Sequence, residues 1–261
     1  TSPFAFTGNK FEFRMVGSSD SIACANTVLN TIVAEAFCDA ADELEKAEDV
    51  TARANELITK YATEHSRVVF NGNGYSEEWV QEAARRGLPN IPSMVDAEPA
   101  LLTDKAVDMF KRFGVFTRSE LEARVEIYYE IYVKQINIEA KAMINISNKQ
   151  IIPAMINAME KLAESLSAVA QACPEADVSV QKKRLIKCSA LLAKAEANVE
   201  KLEKITAEAA AIPEMDLAAR AYHDKVMPAM VELRTPIDAL EMIVDKKCWP
   251  FPSYGDMLYE V

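Results

Sequence analysis

Apolar and polar residues alternate one by one near the start of the chain, then give way to helical spacing for most of its length. Lys10, Glu12 and Arg14 stand two residues apart, with Phe11 and Phe13 between them. Successive positions of a strand face opposite ways, so the three charges share one face of a short predicted strand and the two rings share the other. Gly17-Ser-Ser-Asp-Ser21 supplies turn and cap chemistry, and from Ile22 to about Lys46 apolar residues recur at three- and four-residue steps. This predicts a helix with a wide apolar face, packed under a sheet. A second helix is predicted from about Val50 to Ser66, burying Leu57, Ile58 and Tyr61.

The middle of the chain is punctuated by turns. Asn71-Gly-Asn-Gly74 precedes a short helix starting at Ser76-Glu-Glu-Trp79. A phosphate-cradling loop would need a lysine and a hydroxyl at fixed offsets, which do not follow, so a plain turn is the expectation. Leu88 to Pro99 reads as an extended, proline-punctuated link, and Thr103-Asp104 caps a helix of about ten residues ending at Gly114. Thr117-Arg-Ser-Glu120 is a capping box. It opens a long helix whose stripe runs through Leu121, Val125, Tyr128, Tyr132, Ile136 and Ala140. Pro153 is expected to kink or divide that helix at about Gln150, because proline lacks the N–H and crowds the preceding turn.

The last third predicts an antiparallel helical hairpin. Leu185, Cys188, Leu192, Ala195, Val199, Leu202, Thr206 and Ala209 step by three and four, and Val226, Met230, Leu233, Ile237, Leu240 and Val244 do the same on the return helix. Kinks are expected near Pro228 and Pro236. The closing Lys247-Cys-Trp-Pro-Phe-Pro-Ser-Tyr254 is too rich in proline for a helix and should dock across the bundle.

Composition narrows the function. The chain has 261 residues, half of them apolar, with only 7 glycines, a balance suited to long helices. A net charge of −11 repels phosphate backbones and anionic lipid, so neither nucleic acid nor a membrane is expected as a partner. The five cysteines form no CxxC pair or zinc-type spacing, and a reducing cytoplasm fits them. Only His65 and His223 are present, so a histidine-rich metal or acid–base site cannot be assembled from these residues alone. The chain opens without methionine, directly at a dense polar motif, and the expectation is the C-terminal part of a longer polypeptide.

Candidate chemistry concentrates on the first strand. Glu12 offers the hard oxygen that magnesium or manganese prefers. Arg14 carries a planar fork matched to carboxylate or phosphate, and Lys10 a flexible point charge for a phosphate oxygen. Spacing alone favours an edge strand with a solvated Lys-Glu-Arg face. His65 reads as an exposed or capping residue, His223 beside Asp224 does not read as a catalytic pair, and Tyr128, Tyr129 and Tyr132 read as packing.

The wording of the sequence goes further. Ser2-Pro-Phe-Ala-Phe-Thr-Gly-Asn-Lys-Phe-Glu-Phe-Arg14, Asn26-Thr-Val-Leu-Asn-Thr-Ile-Val-Ala-Glu35, Val68-Val-Phe-Asn-Gly-Asn-Gly-Tyr-Ser-Glu-Glu-Trp79, Tyr132-Val-Lys-Gln-Ile-Asn-Ile-Glu-Ala140 and Trp249-Pro-Phe-Pro-Ser-Tyr254 resemble the large type III class of glutamine synthetases. The resemblance implies a mainly α chain. A short N-terminal β-strand would belong to a glutamine-synthetase-type catalytic α+β domain, followed by long helices and the hairpin. It divides the chain into the end of the catalytic core (1–48), a helical insertion with loops (49–116) and a C-terminal helical bundle with a docked aromatic tail (117–261).

The same resemblance implies roles. Glu12 would bind a divalent metal, Mg2+ or Mn2+. Arg14 would contact substrate glutamate or its reacting carboxyl and act in catalysis, and Lys10 would contact ATP phosphate. Lysine stands at position 10 where smaller classes of the family usually carry arginine. The implied reaction joins ammonia to glutamate through γ-glutamyl phosphate, in a cytoplasmic homo-oligomer built of hexameric rings. The alternative is a non-catalytic helical scaffold or interaction module.

Overall fold

A computed structural model describes residues 4–6, 11–13, 21–74 and 76–259, with no side-chain description for the first two segments. Two three-residue strands, β1 (Phe4–Phe6) and β2 (Phe11–Phe13), pair antiparallel, and the described residues after them are helical or loop. This corrects the expected fold class. The N-terminal strand was to be part of an α+β domain, yet among the described residues its partner is the segment just before it and no wider sheet forms. The physical reason is supply: a larger sheet needs further strands, and after Ser21 the chain offers helical periodicity only.

Helices follow in order: α1 (Ala23–Leu44), α2 (Val50–Glu64), α3 (Glu77–Arg85), α4 (Met94–Ala97), α5 (Asp104–Arg112), α6 (Arg118–Ile146), α7 (Ile152–Ala172), α8 (Ser179–Ala210), α9 (Met215–Ala221), α10 (Met227–Glu241) and α11 (Tyr254–Tyr259). None among the described residues is long and apolar enough to cross a membrane. The chain divides into two compact units, Thr1–Val125 and Glu126–Val261.

In the first unit the helix ends obey their caps. Asp49, Ser76, Ser93 and Thr103 each accept a backbone N–H of the helix they open. Gly87 and Gly114 take φ of 66° and 63°. In each case the next residue's N–H reaches back five residues, Leu88 to Ala83 and Val115 to Phe110, closing a Schellman turn that needs the left-handed conformation glycine allows. Val107, Phe110 and Leu121 are buried together, with the Phe116 ring 5.4 Å from that of Phe110. Arg112 of α5 bonds Asp39 of α1 at 3.1 Å.

Two predicted faces are not buried here. In α1 only Thr31 is buried, while Phe37 is 72% exposed and Ile32 and Val33 are exposed as well, so the face expected to lie under a sheet is open among the described residues. In α2 Leu57 is buried, but Ile58 is 65% exposed and Tyr61 is also exposed.

The second unit carries the larger core. Cys188, Ala195, Val199, Leu202, Thr206 and Ala209 of α8 are all buried, and so are Val226, Leu233, Ile237 and Leu240 on the returning helical arm of the hairpin. Ile136 and Ala140 of α6 and Met155 of α7 pack into the same cluster. Small residues at 195 and 209 let the helices approach, and Leu202 and Leu233 fill the space between them.

Prolines shape this unit without breaking it. A π-helical turn at Ser147–Ile151 precedes Pro153, and another at Tyr222–Val226 precedes Pro228. Each turn contains the residue four before its proline, Lys149 or Asp224, whose carbonyl the ring would otherwise strike. The bond pattern widens to five residues there, Ile152 N–H to Ser147 O and Met227 N–H to Tyr222 O. Lys246–Cys248 forms one 3-10 turn, Trp249 packs against the main core, and α11 follows with Tyr254, Leu258 and Tyr259 exposed.

Candidate functional site

The N-terminal hairpin fixes one of the three candidate positions. Its register pairs Phe4 with Phe13, Ala5 with Glu12 and Phe6 with Phe11. By alternation the four phenylalanine positions share one face of the ribbon, and Ala5 and Glu12 share the other. Glu12 is therefore the central position of β2. Lys10 and Arg14 flank the strand and lie outside the described residues, so the hairpin places Glu12 in the ribbon and leaves the other two unassigned in space.

The remaining candidates fall into structural roles. Gly72 faces the ring of Phe70, and a Cβ there would come within 2.7 Å of it. The Phe70 ring in turn stacks on Trp79 with centroids 4.2 Å apart. Arg86 lies over Trp79 and donates to the carbonyls of Arg67 and Val69 at 3.1 and 2.7 Å. The Asn-Gly-Asn-Gly segment is thus a packed turn. Glu82 bridges Arg85 and Arg86 at 2.6 Å, and these guanidinium groups hold its carboxyl down at about 2.

His65 ends α2, stacked against Tyr61 with centroids 6.2 Å apart. His223 and Asp224 share a hydrogen bond of 2.7 Å inside the second π turn. Tyr132 donates from its hydroxyl to Met227 Sδ at 3.0 Å. Burial, aided by the carboxylates of Asp224 and Glu139, pushes that phenol above its ordinary value. Tyr129 is buried, as the packing expectation for the tyrosines requires.

One titratable group escaped sequence reasoning. Glu98 opens the 3-10 turn Glu98–Leu102, and burial alone pushes its carboxyl up to about 7. Its Oε2 is enclosed without a hydrogen-bond partner among the described residues. No periodicity marks it, because it sits in the proline-rich link where burial is set by contacts distant in sequence. Among the described residues no group of three His, Cys, Asp or Glu side chains is arranged to hold a metal ion.

With this geometry in view, comparison with known proteins defines the class. Residues 53–170, running from α2 to the end of α7, match the glutamine synthetase C-terminal domain. The chain is therefore similar to the glutamine synthetases, over that domain and beyond it. Among these the likeness includes the type III class. A type-3 glutamine synthetase of Dictyostelium discoideum is 35% identical over 266 residues, covering 99% of this chain and 36% of that protein. A glutamine synthetase of Butyrivibrio fibrisolvens is 34% identical, covering 100% of this chain and 37% of its own length. One of Bacteroides fragilis is 31% identical, covering 99% and 37%. The chain thus spans little more than a third of the length of these relatives. The three candidate site residues lie upstream of the matched domain and within the longer stretch of similarity.

Proposed function

We propose that this chain works as the C-terminal part of a glutamine synthetase, an ATP-dependent glutamate–ammonia ligase. The observation that carries the reading is the similarity to glutamine synthetases, one of them a type-3 enzyme, over essentially the whole chain, N-terminal strand included. The substrates are then glutamate, ammonia and ATP, and the product glutamine forms by way of γ-glutamyl phosphate. The enzyme is a cytoplasmic homo-oligomer of hexameric rings, and the helices of this chain contribute to subunit contacts.

In this reading Glu12 is a metal ligand. A magnesium-type ion takes about six oxygen ligands, so one carboxylate fits as a single donor in a site completed by other parts of the enzyme. The bound metal supplies charge neutralisation at the nucleotide phosphates. Arg14 holds the carboxyl group of glutamate, orienting it by a two-pronged hydrogen-bonded contact. Lys10 places a positive charge on a nucleotide phosphate oxygen. All three act by positioning, which is most of what phosphoryl transfer asks of a protein.

The test is Glu12→Ala in the complete polypeptide, assayed for ATP-dependent glutamine formation against metal concentration. The expected result is a rate loss of at least the roughly ten- to hundredfold seen when even a supporting group of a metal site is removed, with a raised metal requirement. Unchanged glutamine formation would instead support a non-catalytic helical scaffold. The 261-residue chain alone is expected to show no synthetase or γ-glutamyl transferase turnover.

A further inference from the structure

The second unit contains a cavity of about 320 Å³ between α7, the start of α8 and the segment that follows α10. Its walls are mainly apolar, formed by Met155, Met159, Leu162, Ile243 and Val244. Polar groups enter at few points, and two of them are the cations Lys161 and Arg184. Among the described residues neither has a carboxylate within ion-pairing distance. Among the described residues the Lys161 ammonium reaches only Cys248 Sγ, at 3.8 Å, a weak acceptor that leaves its donors largely unspent. Arg184 uses Nη1 on the carbonyl of Ile243 at 2.8 Å, which pins the closing segment and leaves other N–H groups of the fork free. The one acid in the lining, Asp245, accepts the backbone N–H of Lys247 at 3.0 Å and so caps the 3-10 turn.

An apolar chamber with cations and no matched anion is complementary to a molecule with an apolar body and one negative end. We propose that this cavity binds a small amphipathic monocarboxylate, its hydrocarbon among the methionines and Leu162 and its carboxylate held by Lys161 and Arg184. The volume suits a ligand of roughly ten non-hydrogen atoms, at the small end of ligand-site sizes. Polyanions such as nucleotides are excluded by the apolar walls.

The thiols provide a local readout. Cys188 and Cys248 line the cavity, whereas Cys24 and Cys173 are exposed and stand outside it. The experiment follows alkylation of each cysteine by mass spectrometry in the full-length enzyme, with octanoate, 1-octanol or octylammonium as probe. Octanoate is expected to slow alkylation of Cys248 saturably while Cys24 and Cys173 react as before. Octanol is expected to protect about tenfold less well, the difference a charge-assisted hydrogen bond makes, and octylammonium not at all. Lys161→Gln, an exposed substitution, should bring octanoate down to the level of octanol with the far-ultraviolet circular dichroism unchanged. Equal protection by octanoate and octanol, persistence of octanoate protection in Lys161→Gln, or no protection because another subunit already covers the mouth would each overturn the proposal.

Discussion

Asn198 on α8 donates its side-chain amide to the main-chain carbonyl of Glu232 on α10 at 2.8 Å. Glu232 is four residues before Pro236, which sits buried inside α10 and has no N–H to offer that carbonyl. The neighbouring helix therefore supplies the donor that the proline removes. The Glu232 side chain adds a contact to Lys201 at 2.5 Å, so one residue ties the hairpin through both its backbone and its carboxylate. Asn198→Ala is expected to lower stability by about 1 kcal/mol, the net worth of one such bond. In a Pro236→Ala background, where residue 236 regains an N–H, the same change should cost less than half as much. Urea unfolding of the four proteins of this cycle measures the coupling, and strictly additive effects would disprove it.

The boundary of α6 makes a second case. Thr117 N–H donates to Glu120 Oε2 at 2.8 Å, and Glu120 N–H donates to Thr117 Oγ1 at 3.3 Å, a complete reciprocal box. The Thr117 backbone N–H first, and then the Thr117 hydroxyl, which donates to the same Oε2 at 2.8 Å, hold the Glu120 carboxyl below its ordinary range. Its contribution is therefore present above the ordinary carboxylate value and is lost as pH falls through the lowered one. Thr117→Ala should reduce the melting temperature at pH 7, and the gap to the parent protein should narrow in acid. A gap independent of pH would mean that the ionised Glu120 carboxylate adds nothing beyond the cap that the Thr117 hydroxyl places on the Glu120 N–H.

Local chemistry of this kind was legible in the sequence. The caps at Ser76, Thr103 and Thr117, the stop at Gly114 and the stepping of Leu202 and Leu233 all depend on residues within a turn or two of each other, where spacing is a direct reading of geometry. The response to proline was half legible. A disturbance near Gln150 followed from Pro153, but its resolution as a widened turn rather than a broken helix depends on packing on both sides of the turn. Burial of whole faces was not legible. Phe37 and Ile58 sit at perfectly helical positions, yet what covers such a face is set by tertiary partners, and periodicity says nothing of where those are. The strand shows the same limit: alternation marked positions 10 to 14, while membership in a wider sheet required neighbours that no local pattern encodes. As for the site, chemistry singled out Lys10, Glu12 and Arg14, whereas Glu98 and the cavity near Lys161 arise from contacts across helices and left no mark on the sequence.

Glu98 sets a pH dependence of the opposite sign to Glu120. Burial raises its carboxyl to about 7 in the folded chain, against 4.5 for an ordinary glutamate. The folded state thus holds a proton that the unfolded state releases. Stability from this group is complete below the unfolded value and is lost as pH rises through about 7. Because the side chain is only partly buried, solvent screening should limit the fall to about 1 kcal/mol between roughly pH 5 and 8. Glu98→Gln keeps the shape and cannot ionise, so its thermal stability should fall less than that of the parent over that interval. Parallel pH profiles would show that Glu98 titrates normally.

Tyr222 tests the opposite extreme, a polar atom buried with nothing to bind. The residue is fully enclosed at the head of the second π turn, and among the described residues its hydroxyl has no hydrogen-bond partner. Burial also pushes the phenol above its ordinary value, so the group stays neutral near pH 7 and only its dipole is at stake. Leaving such a group unsatisfied costs on the order of 1–3 kcal/mol. The ring itself packs with Val226, Leu233 and Leu202 in the main core and should be kept. Tyr222→Phe removes the oxygen alone and is expected to stabilise the protein by about 1 kcal/mol. Leu233→Ala, a few turns away in the same core, removes apolar volume without relieving any polar cost and should destabilise by roughly 2–5 kcal/mol. Chemical denaturation of the two variants side by side separates the effects. A Tyr222→Phe protein less stable than the parent would mean that the hydroxyl has a partner in solution, and the excess loss would measure that bond.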